Sequence, residues 1–364
     1  MNFDLSLKKS FDGFHIDVNL SINEGLLVLF GPSGAGKTQI LRMISGITRP
    51  DEGFVEIGNE KVFDSENHIN IPVRDRRIGY LFQDYALFPH MTVYQNIAYG
   101  INHRERSLVQ IKVDELIEVM RLSGLEKRYP HELSGGQKQR CALARTLAIE
   151  PRVLLLDEPF SALDFQVREK LRADLLRIHT LYPITTILVT HDLEEAFMLG
   201  KEIAVINNGH IEQSGPREEV FYRPKTRSVA KFIGTRNIFD GTVVDSDGSH
   251  VTILNQDIGK VKTFATEGTK LEKGQEVSFC IRPEEVLIIR PDRPLDHRVQ
   301  YNIIEGEIVS ITGKGSTQIM FLKTGSGDTL LKIELPNFVI RKLSLDKGRR
   351  IRVSLKKESL WVIP

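Results

Sequence analysis

The sequence predicts an α/β domain over roughly its first two thirds, followed by an all-β domain. Short apolar runs alternate with longer helical patterns as far as about residue 215, which is typical of a largely parallel sheet flanked by helices. Beyond about residue 235 the runs are short, rich in β-branched residues and separated by Gly, Asp and Ser, which is typical of strands. With 364 residues, 41% of them hydrophobic, the chain has room for two or three domains with sizeable cores.

Three strand–helix pairs define the α/β domain. In each pair an apolar run of strand length is followed by a helical pattern. The pairs are Leu26–Phe30 with 38–46, 153–156 with 164–179, and Thr185–Thr190 with 194–199. Two short helical segments, 218–222 and 228–233, come next and are punctuated by Pro224 and Gly234. We therefore place the end of the first domain near residue 235, so that it spans 1–235.

The all-β part contains an internal repeat. The segment NIFDGTVV at 237–244 returns as NIIEGEIV at 302–309, and 274–289 resembles 348–363. The sequence therefore predicts a first β unit at 236–290 and a second at 299–364, joined by a linker at 291–298. The alternative is that short β sequences look alike by chance.

Composition and charge exclude several classes of protein. Lys and Arg total 49 against 48 Asp and Glu, so the bulk charge indicates neither nucleic acid nor a membrane surface as a partner. The longest apolar runs are far shorter than the roughly 18 to 20 residues of a spanning helix. The N-terminal residues do not fit a secretory signal. Two widely separated cysteines argue against a disulfide framework and fit a reducing cytoplasm.

Residues 31–38, GPSGAGKT, fit the P-loop pattern and stand between a predicted strand and a predicted helix. Backbone N–H groups of such a loop face phosphates, and the helix N-terminus adds positive potential. The lysine is then placed to contact the β- and γ-phosphates, and the threonine hydroxyl to ligate Mg²⁺. An ordinary Gly-rich turn is the alternative. The candidate nucleotide-binding residues of this loop are Gly31, Pro32, Ser33, Gly34, Ala35, Gly36, Lys37 and Thr38.

The predicted strand 153–156 ends in two adjacent carboxylates, Asp157 and Glu158. In a P-loop protein such a strand delivers one carboxylate to magnesium and places the other beside the attacking water. We assign Asp157 to Mg²⁺ and Glu158 to the general base or to the orientation of that water. Read alone, the pattern more often marks a buried strand that ends at the surface. The P-loop upstream favours the functional interpretation.

A second Gly-rich loop precedes the helical stretch 138–149. Its residues are Leu133, Ser134, Gly135, Gly136 and Gln137. One chain then has two anion-binding loops but one magnesium strand. Two copies that meet head to tail would explain this, with each copy offering 134–137 to the γ-phosphate held by the other's P-loop. The alternative is a helix cap at Ser134.

These motifs resemble those of the ATP-binding subunits of ABC transporters, over essentially the whole chain. The resemblance implies an α/β P-loop ATPase domain with a helical subdomain, followed by an all-β small barrel of the OB or TOBE kind. It implies that Gln83 contacts magnesium and links the site to a membrane partner, and that 161–164 form a loop across a dimer interface. His191 would be the switch histidine that contacts the γ-phosphate, a catalytic residue together with Glu158, although a lone histidine at a strand end is usually structural.

The β-rich tail narrows the expected function. It resembles the regulatory small barrels that follow the ATPase in bacterial and archaeal importers of oxyanions, sugars, polyamines and iron. Several stretches look most like molybdate and sulfate importer ATPases, namely 34–38, 76–84, 87–90 and 141–145. We therefore expect an ATPase that powers a separate permease for oxyanion import, and we expect the transported oxyanion to be molybdate or tungstate. The alternatives are sulfate, iron(III), polyamine or sugar import, and a soluble ABC factor that does not act in transport.

The resemblance also implies cofactors, partners and location. The cofactors are ATP and Mg²⁺. The partners are a second copy of the chain, transmembrane permease subunits and, indirectly, an extracytoplasmic substrate-binding protein, with no nucleic acid. The protein would lie peripherally at the cytoplasmic face of the cell membrane.

Two features have competing interpretations. The family usually has an aromatic residue before the P-loop that stacks on adenine, and Phe11 and Phe14 are the nearest candidates, although either could be a core residue. A basic run in the final unit would suit a regulatory oxyanion, but a solvated strand face explains the same charges. The run comprises Arg341, Lys342, Lys347, Arg349, Arg350, Arg352, Lys356 and Lys357.

Overall fold

The computed structural model describes residues 2–23, 25–101, 103–161, 164–265, 271–290, 300–325 and 329–363. The chain divides into two compact units, Met1–Arg217 and Glu218–Pro364. The short helical segment just before residue 235 falls in the second unit, because Ala230 packs there with Cys280 and Ile363. The linker expected at 291–298 lies outside the described residues. No described helix combines the length and the apolar character that a membrane span requires.

The first unit combines helices with one large sheet, which confirms the predicted α/β class. Polar side chains fix several helix starts: Asp164 Oδ1 accepts from Val167 N, and Asp192 Oδ1 accepts from Glu194 N and Glu195 N. The helices are α1 (Lys37–Ser45), α2 (Val93–Ala98), α3 (Arg106–Val119), α4 (Gly135–Ala148), α5 (Phe165–Leu181) and α6 (Leu193–Leu199). Helices α2, α3 and α4 pack against one another and form the expected helical subdomain.

The strands of this unit are β1 (Phe3–Phe11), β2 (Phe14–Ile22), β3 (Leu26–Phe30), β4 (Glu52–Ile57), β5 (Glu60–Asp64), β6 (Ile69–Asn70), β7 (Ile78–Leu81), β8 (Val153–Asp157), β9 (Thr185–Thr190), β10 (Glu202–Asn207) and β11 (His210–Pro216). Among the described residues they form one sheet in the order β6-β5-β4-β1-β2-β11-β10-β3-β9-β8-β7. The half with β10, β3, β9, β8 and β7 is parallel. Strands β3, β8 and β9 are buried along their whole length, and their sequences are short runs of mainly apolar and β-branched residues without a polar alternation.

The expectation of a largely parallel sheet is correct only for that half. Strands β1, β4, β5 and β6 pair antiparallel with their neighbours, and so do β10 and β11 with each other, whereas β2 is antiparallel to β1 and parallel to β11. The burial of β1 and β2 alternates along much of each strand, which is the pattern of strands with one face toward the core. The sheet is therefore mixed.

The second unit is built from strands, three short α-helices and one 3₁₀ turn, Pro283–Glu285, in its described residues. The helices are α7 (Arg217–Tyr222, whose first residue ends the first unit), α8 (Arg227–Phe232) and α9 (Asn337–Leu343). The strands are β12 (Asn237–Ser246), β13 (His250–Asn255), β14 (Gly259–Phe264), β15 (Glu276–Ile281), β16 (Val286–Ile288), β17 (Ile303–Lys314), β18 (Thr317–Thr324), β19 (Leu330–Pro336), β20 (Arg350–Leu355) and β21 (Trp361–Ile363). They form two antiparallel sheets, β14-β13-β12-β15-β21 and β16-β20-β17-β18-β19.

Each of these sheets contains the closing strand of the other sequence repeat. Strand β16, from the first repeat, pairs with β20, and β21, from the second, pairs with β15. One hydrophobic cluster combines residues of both sheets, among them Ile253, Phe279, Leu322 and Val353. The two repeats therefore form one compact unit through an exchange of last strands.

Candidate functional site

The carboxyl ends of parallel strands bring the candidate residues to one edge of the first sheet. Phe30, the last residue of β3, is opposite Thr190 of β9, and Asp157 of β8 is opposite Val189. The next residues along the chain are Gly31, His191 and Glu158, so all three follow neighbouring strand ends. Ligands of open parallel sheets bind in crevices at this edge.

The loop 31–36 turns tightly between β3 and α1. Gly34 and Gly36 have φ values of 82° and 98°, which favour glycine. A Cβ added to Gly36 would lie 2.9 Å from Phe14 Cζ, whereas one added to Gly34 would meet nothing within 4 Å. The loop is thus closely supported at Gly36 and open at Gly34, which suits an anion at the N-terminus of α1.

The side chain of Lys37, the first residue of α1, folds back over this loop. Its Nζ donates to the carbonyl oxygens of Gly31, at 2.9 Å, and Pro32, at 2.8 Å. Burial lowers the pKa of Lys37, and the nearby carboxylates of Glu158 and Asp157 oppose this effect. The two hydrogen bonds therefore hold the Lys37 side chain in a fixed position over the loop.

Asp157 is held between two hydroxyl groups. Thr38 Oγ1 donates to Asp157 Oδ1 at 2.8 Å, and Tyr80 Oη donates to Asp157 Oδ2 at 2.9 Å. Burial raises the pKa of Tyr80, and the adjacent Asp157 carboxylate adds to this effect. Hydroxyl and carboxylate oxygens are hard ligands, and Mg²⁺ commonly takes one or two carboxylates together with substrate phosphates and water. Thr38 and Asp157 therefore fit a magnesium ion.

Glu158 lies between His191 and Gln83. His191 Nδ1 is 3.1 Å from Glu158 Oε1, and Gln83 Nε2 is 3.5 Å from Glu158 Oε2. Gln83 Nε2 also donates to Ser161 Oγ at 3.2 Å. These residues come from three separate parts of the sequence, and the structure brings them together beside the P-loop strand.

The loop expected at 161–164 is described only in part. Ser161 contacts Gln83, as above, and its Oγ also donates to the Glu158 carbonyl oxygen at 3.0 Å. Asp164 caps α5. Ala162 and Leu163 lie outside the described residues.

The second Gly-rich loop caps α4. Ser134 N donates to Gln137 Oε1 at 2.9 Å, and Gln137 N donates to Ser134 Oγ at 3.4 Å, which together form a capping box. Gly135 and Gly136 are the first residues of the helix. Within the described part of one chain, the side-chain hydrogen bonds of Ser134 and Gln137 join these two residues to each other and not to the P-loop.

A buried network holds the turn that carries His191, and no sequence motif indicated it. Thr190 Oγ1 donates to Glu195 Oε2 at 2.5 Å and accepts from Asp192 N at 3.0 Å. Arg172 Nη2 donates to Glu195 Oε1 at 3.3 Å and lies 3.6 Å from Asp192 Oδ2. Arg172 is on α5 and Glu195 on α6, so no local spacing in the sequence reveals the pair.

Both candidate aromatic residues pack against the core. Phe11 and Phe14 face each other across the β1–β2 turn, with ring centroids 6.4 Å apart. Both are half-buried against the core of the first unit. Phe14 is the one that reaches the P-loop, because its ring lies against Gly36.

Comparison with known proteins extends this description. Residues 16–161 match the family model described as ABC transporter, and residues 279–363 match the one described as TOBE domain. The chain is 39% identical over 356 residues to the sulfate/thiosulfate import ATP-binding protein CysA of Bacillus cereus. This alignment covers 95% of the present chain and 93% of the Bacillus cereus protein. The chain is 35% identical to the spermidine/putrescine import ATP-binding protein PotA of Marinobacter nauticus, over 99% of this chain and 94% of that one.

The fold is similar to that of a dimeric ATP-binding cassette, MJ0796, solved in a post-hydrolysis state with ADP and Pi. The TM-score is 0.50 at 29% sequence identity, and the match covers 60% of this chain and 99% of the other.

The relatives bear on the expected substrate. Those described above are named for sulfate/thiosulfate or polyamine import, so the expectation of molybdate or tungstate is not supported and the sulfate alternative fits better. The motifs, the fold and the relatives over nearly the whole chain agree. The chain belongs to the ABC transporter family, among its import ATP-binding proteins with a C-terminal TOBE domain.

Proposed function

We propose that this chain is the ATP-hydrolysing subunit of a sulfate or thiosulfate importer. The observation that carries the proposal is the position of Glu158 between His191 and Gln83, beside the Thr38–Asp157 pair. The Bacillus cereus relative, which aligns over almost the entire chain, supports sulfate or thiosulfate as the substrate.

In the proposed reaction the P-loop and Lys37 hold the β- and γ-phosphates of ATP. Glu158 orients a water molecule and accepts its proton as the water oxygen attacks the γ-phosphorus. The bond from that phosphorus to the β–γ bridging oxygen breaks, which gives ADP and phosphate. His191 contacts the γ-phosphate, and its Nδ1, 3.1 Å from Glu158 Oε1, keeps the ring oriented toward the site.

Thr38, Asp157 and Gln83 are the residues that we propose for Mg²⁺. When bound, the ion neutralises charge on the phosphate oxygens during transfer. Thr38 and Asp157 already share a hydrogen bond, and Tyr80 donates to the second oxygen of Asp157. Tyr80 is thus a positioning residue for this carboxylate.

We further propose that two copies of the chain associate head to tail around ATP. The loop 134–137 then completes the site of the partner copy through the N-terminus of α4, while its capping box keeps the helix start rigid. The dimeric state of MJ0796 supports this arrangement.

The same proposal places the protein at the cytoplasmic face of the cell membrane, bound to separate permease subunits. An extracytoplasmic binding protein would deliver the anion to that permease. Closure of the dimer around ATP would shift the permease between its states, and hydrolysis would reverse the shift.

Uptake measurements test the substrate. We expect that deletion of the gene in its source organism abolishes uptake of radiolabelled sulfate, and that the wild-type gene, but not a Glu158→Gln variant, restores it. Molybdate uptake should be unaffected. Unchanged sulfate uptake in the deletion strain would contradict the proposal.

A polyamine importer is the second candidate, because the Marinobacter nauticus relative aligns over 99% of this chain. The same deletion strain distinguishes the two, since loss of putrescine uptake with normal sulfate uptake would favour the polyamine assignment.

A further inference from the structure

A pocket of about 350 Å³ lies in the second unit, where β16 ends and β20 begins. Part of its lining is apolar. Leu345 and Ile351 are buried, and Ile288 and Leu343 are half-buried against the core of this unit. The floor of the pocket is therefore a continuation of the hydrophobic core that reaches the surface.

The rest of the lining is strongly basic, with four arginines and one glutamate. Arg350 and Arg352 are exposed on β20, opposite Glu307 and Glu305 of β17. Within the described residues, neither of these two guanidinium groups forms an ion pair or a side-chain hydrogen bond. Two arginine side chains at the pocket thus retain unused donors.

A third guanidinium at the pocket is fixed in place. Arg349 Nη1 donates to Ser344 O at 2.6 Å and to Leu343 O. These carbonyl groups end helix α9, where a positive charge is favourable. One side of the pocket therefore has a rigid cation, and another has two cations that form no ion pair with the part of the chain that the structure describes.

The size of the pocket discriminates between ligands. Water occupies about 30 Å³ per molecule in the liquid, so the pocket has room for on the order of ten waters. Pockets of about 300 to 1,000 Å³ with an apolar lining and a few polar groups are typical of small-molecule sites. An inorganic oxyanion would leave the apolar floor uncovered.

We propose that this pocket binds a small organic anion, with its acidic group on Arg350 and Arg352 and its apolar part on Leu345 and Ile351. Arginine suits the acidic group because its planar fork of donors pairs with carboxylate, sulfonate or phosphate oxygens. The proposal goes beyond ATP hydrolysis and does not depend on the substrate of the importer.

Calorimetric titration of the full-length protein, with ADP and Mg²⁺ saturating, tests the proposal. The probes are naphthalene-1-sulfonate, which has an acidic group and an apolar body, methanesulfonate, which has the same acidic group without that body, and inorganic sulfate. We expect one naphthalene-1-sulfonate per chain, bound at least tenfold more tightly than either of the other two.

Two double variants locate the binding. R350Q/R352Q should weaken binding of naphthalene-1-sulfonate at least tenfold. K342Q/K347Q removes the same charge from exposed residues of the same unit that do not line the pocket, and it should leave the affinity within twofold. All four side chains are exposed, so both variants should fold, and thermal unfolding checks this.

Three results would overturn the proposal. Equal affinity for naphthalene-1-sulfonate and sulfate would show that the apolar floor does not contribute. Equal weakening by the two double variants would show that only net charge attracts the probe. An absence of naphthalene-1-sulfonate binding at millimolar concentration would remove the site.

Discussion

Glu158 occupies a backbone conformation that few side chains adopt. Its φ is 43°, and its N–H donates to Val189 O at 3.1 Å on the neighbouring strand. A non-glycine residue in the left-handed region costs about 1 kcal/mol or more, so the sheet has to hold it there. The result is a carboxylate fixed beside His191 rather than one free to turn to solvent.

Replacing Glu158 by Gln should retain ATP binding and slow hydrolysis by about 100-fold or more, because the amide keeps the shape but cannot accept the proton. Phosphate release and equilibrium binding of labelled ATP measure the two effects separately. Glu118→Gln, on an exposed position of α3, is the matched control and should hydrolyse ATP at the wild-type rate. Hydrolysis by the Glu158 variant above a tenth of the wild-type rate would argue against its role.

The two cysteines should be unreactive in the folded protein. Cys141 and Cys280 are buried free thiols, and burial raises the pKa of each to about 12. Since the thiolate is the reactive species, Ellman's reagent should label neither at pH 8 until urea unfolds the chain. In the unfolded chain these thiols ionise first as pH rises above their ordinary value of 9.0. The free energy of unfolding should therefore be unaffected by these thiols below pH 9, and it should fall as the pH rises from 9 toward 12.

At the scale of elements, helix α5 anchors the turn after β9. Its Arg172, 1% exposed, contacts Glu195 on α6, and Glu195 accepts from Thr190, next to His191. Removing one partner of a buried charge pair leaves the other uncompensated. The position of His191 thus depends on a helix that supplies no residue to the site itself.

We expect Arg172→Met to lower the free energy of unfolding by about 3 kcal/mol or more. Lys170→Met, an exposed position on the same helix, should change it by less than about 0.5 kcal/mol. Urea unfolding followed by circular dichroism measures both. The double variant Arg172→Met/Glu195→Met should recover part of the lost stability. If Arg172→Met and Lys170→Met unfolded at the same urea concentration, the stabilising role of the Arg172–Glu195 pair would be contradicted.

Elements differ in how far the sequence alone predicted them. Strands β3 and β9 were predicted with their observed bounds, because strands buried on both faces are short runs of apolar and β-branched residues. The antiparallel half of the sheet was missed, since the alternating pattern of β1 was not read as a strand. The P-loop and Asp157 were found because each motif is local. The Tyr80–Asp157 hydrogen bond was not, because its partners are 77 residues apart.

At the scale of the whole molecule, the exchange of β16 and β21 decides which parts can fold alone. The repeat in the sequence suggested two β units, but each sheet is closed by a strand from the other repeat. A repeat in a sequence identifies similar segments. It does not show whether a strand pairs within its own repeat or with a strand of the other repeat. That pairing depends on the path of the chain in three dimensions.

We therefore expect the fragment 218–364 to unfold cooperatively, whereas 237–290 and 300–364 should each fail to fold alone. Mixing the two shorter fragments should restore strand content in circular dichroism. The single tryptophan, Trp361, donates from Nε1 to Pro224 O at 2.9 Å, so its fluorescence reports on the intact unit. A cooperative unfolding transition in either short fragment would show that one repeat folds without the last strand of the other, which would contradict this prediction.

The contacts of Lys37 bear on how a buried cation is stabilised in the P-loop. Two of its three ammonium N–H groups donate to the carbonyl oxygens of Gly31 and Pro32. The loop itself therefore replaces part of the water shell that burial removes from the ammonium group. The third N–H group is left for a phosphate oxygen, so the loop and the proposed nucleotide share a single ammonium group.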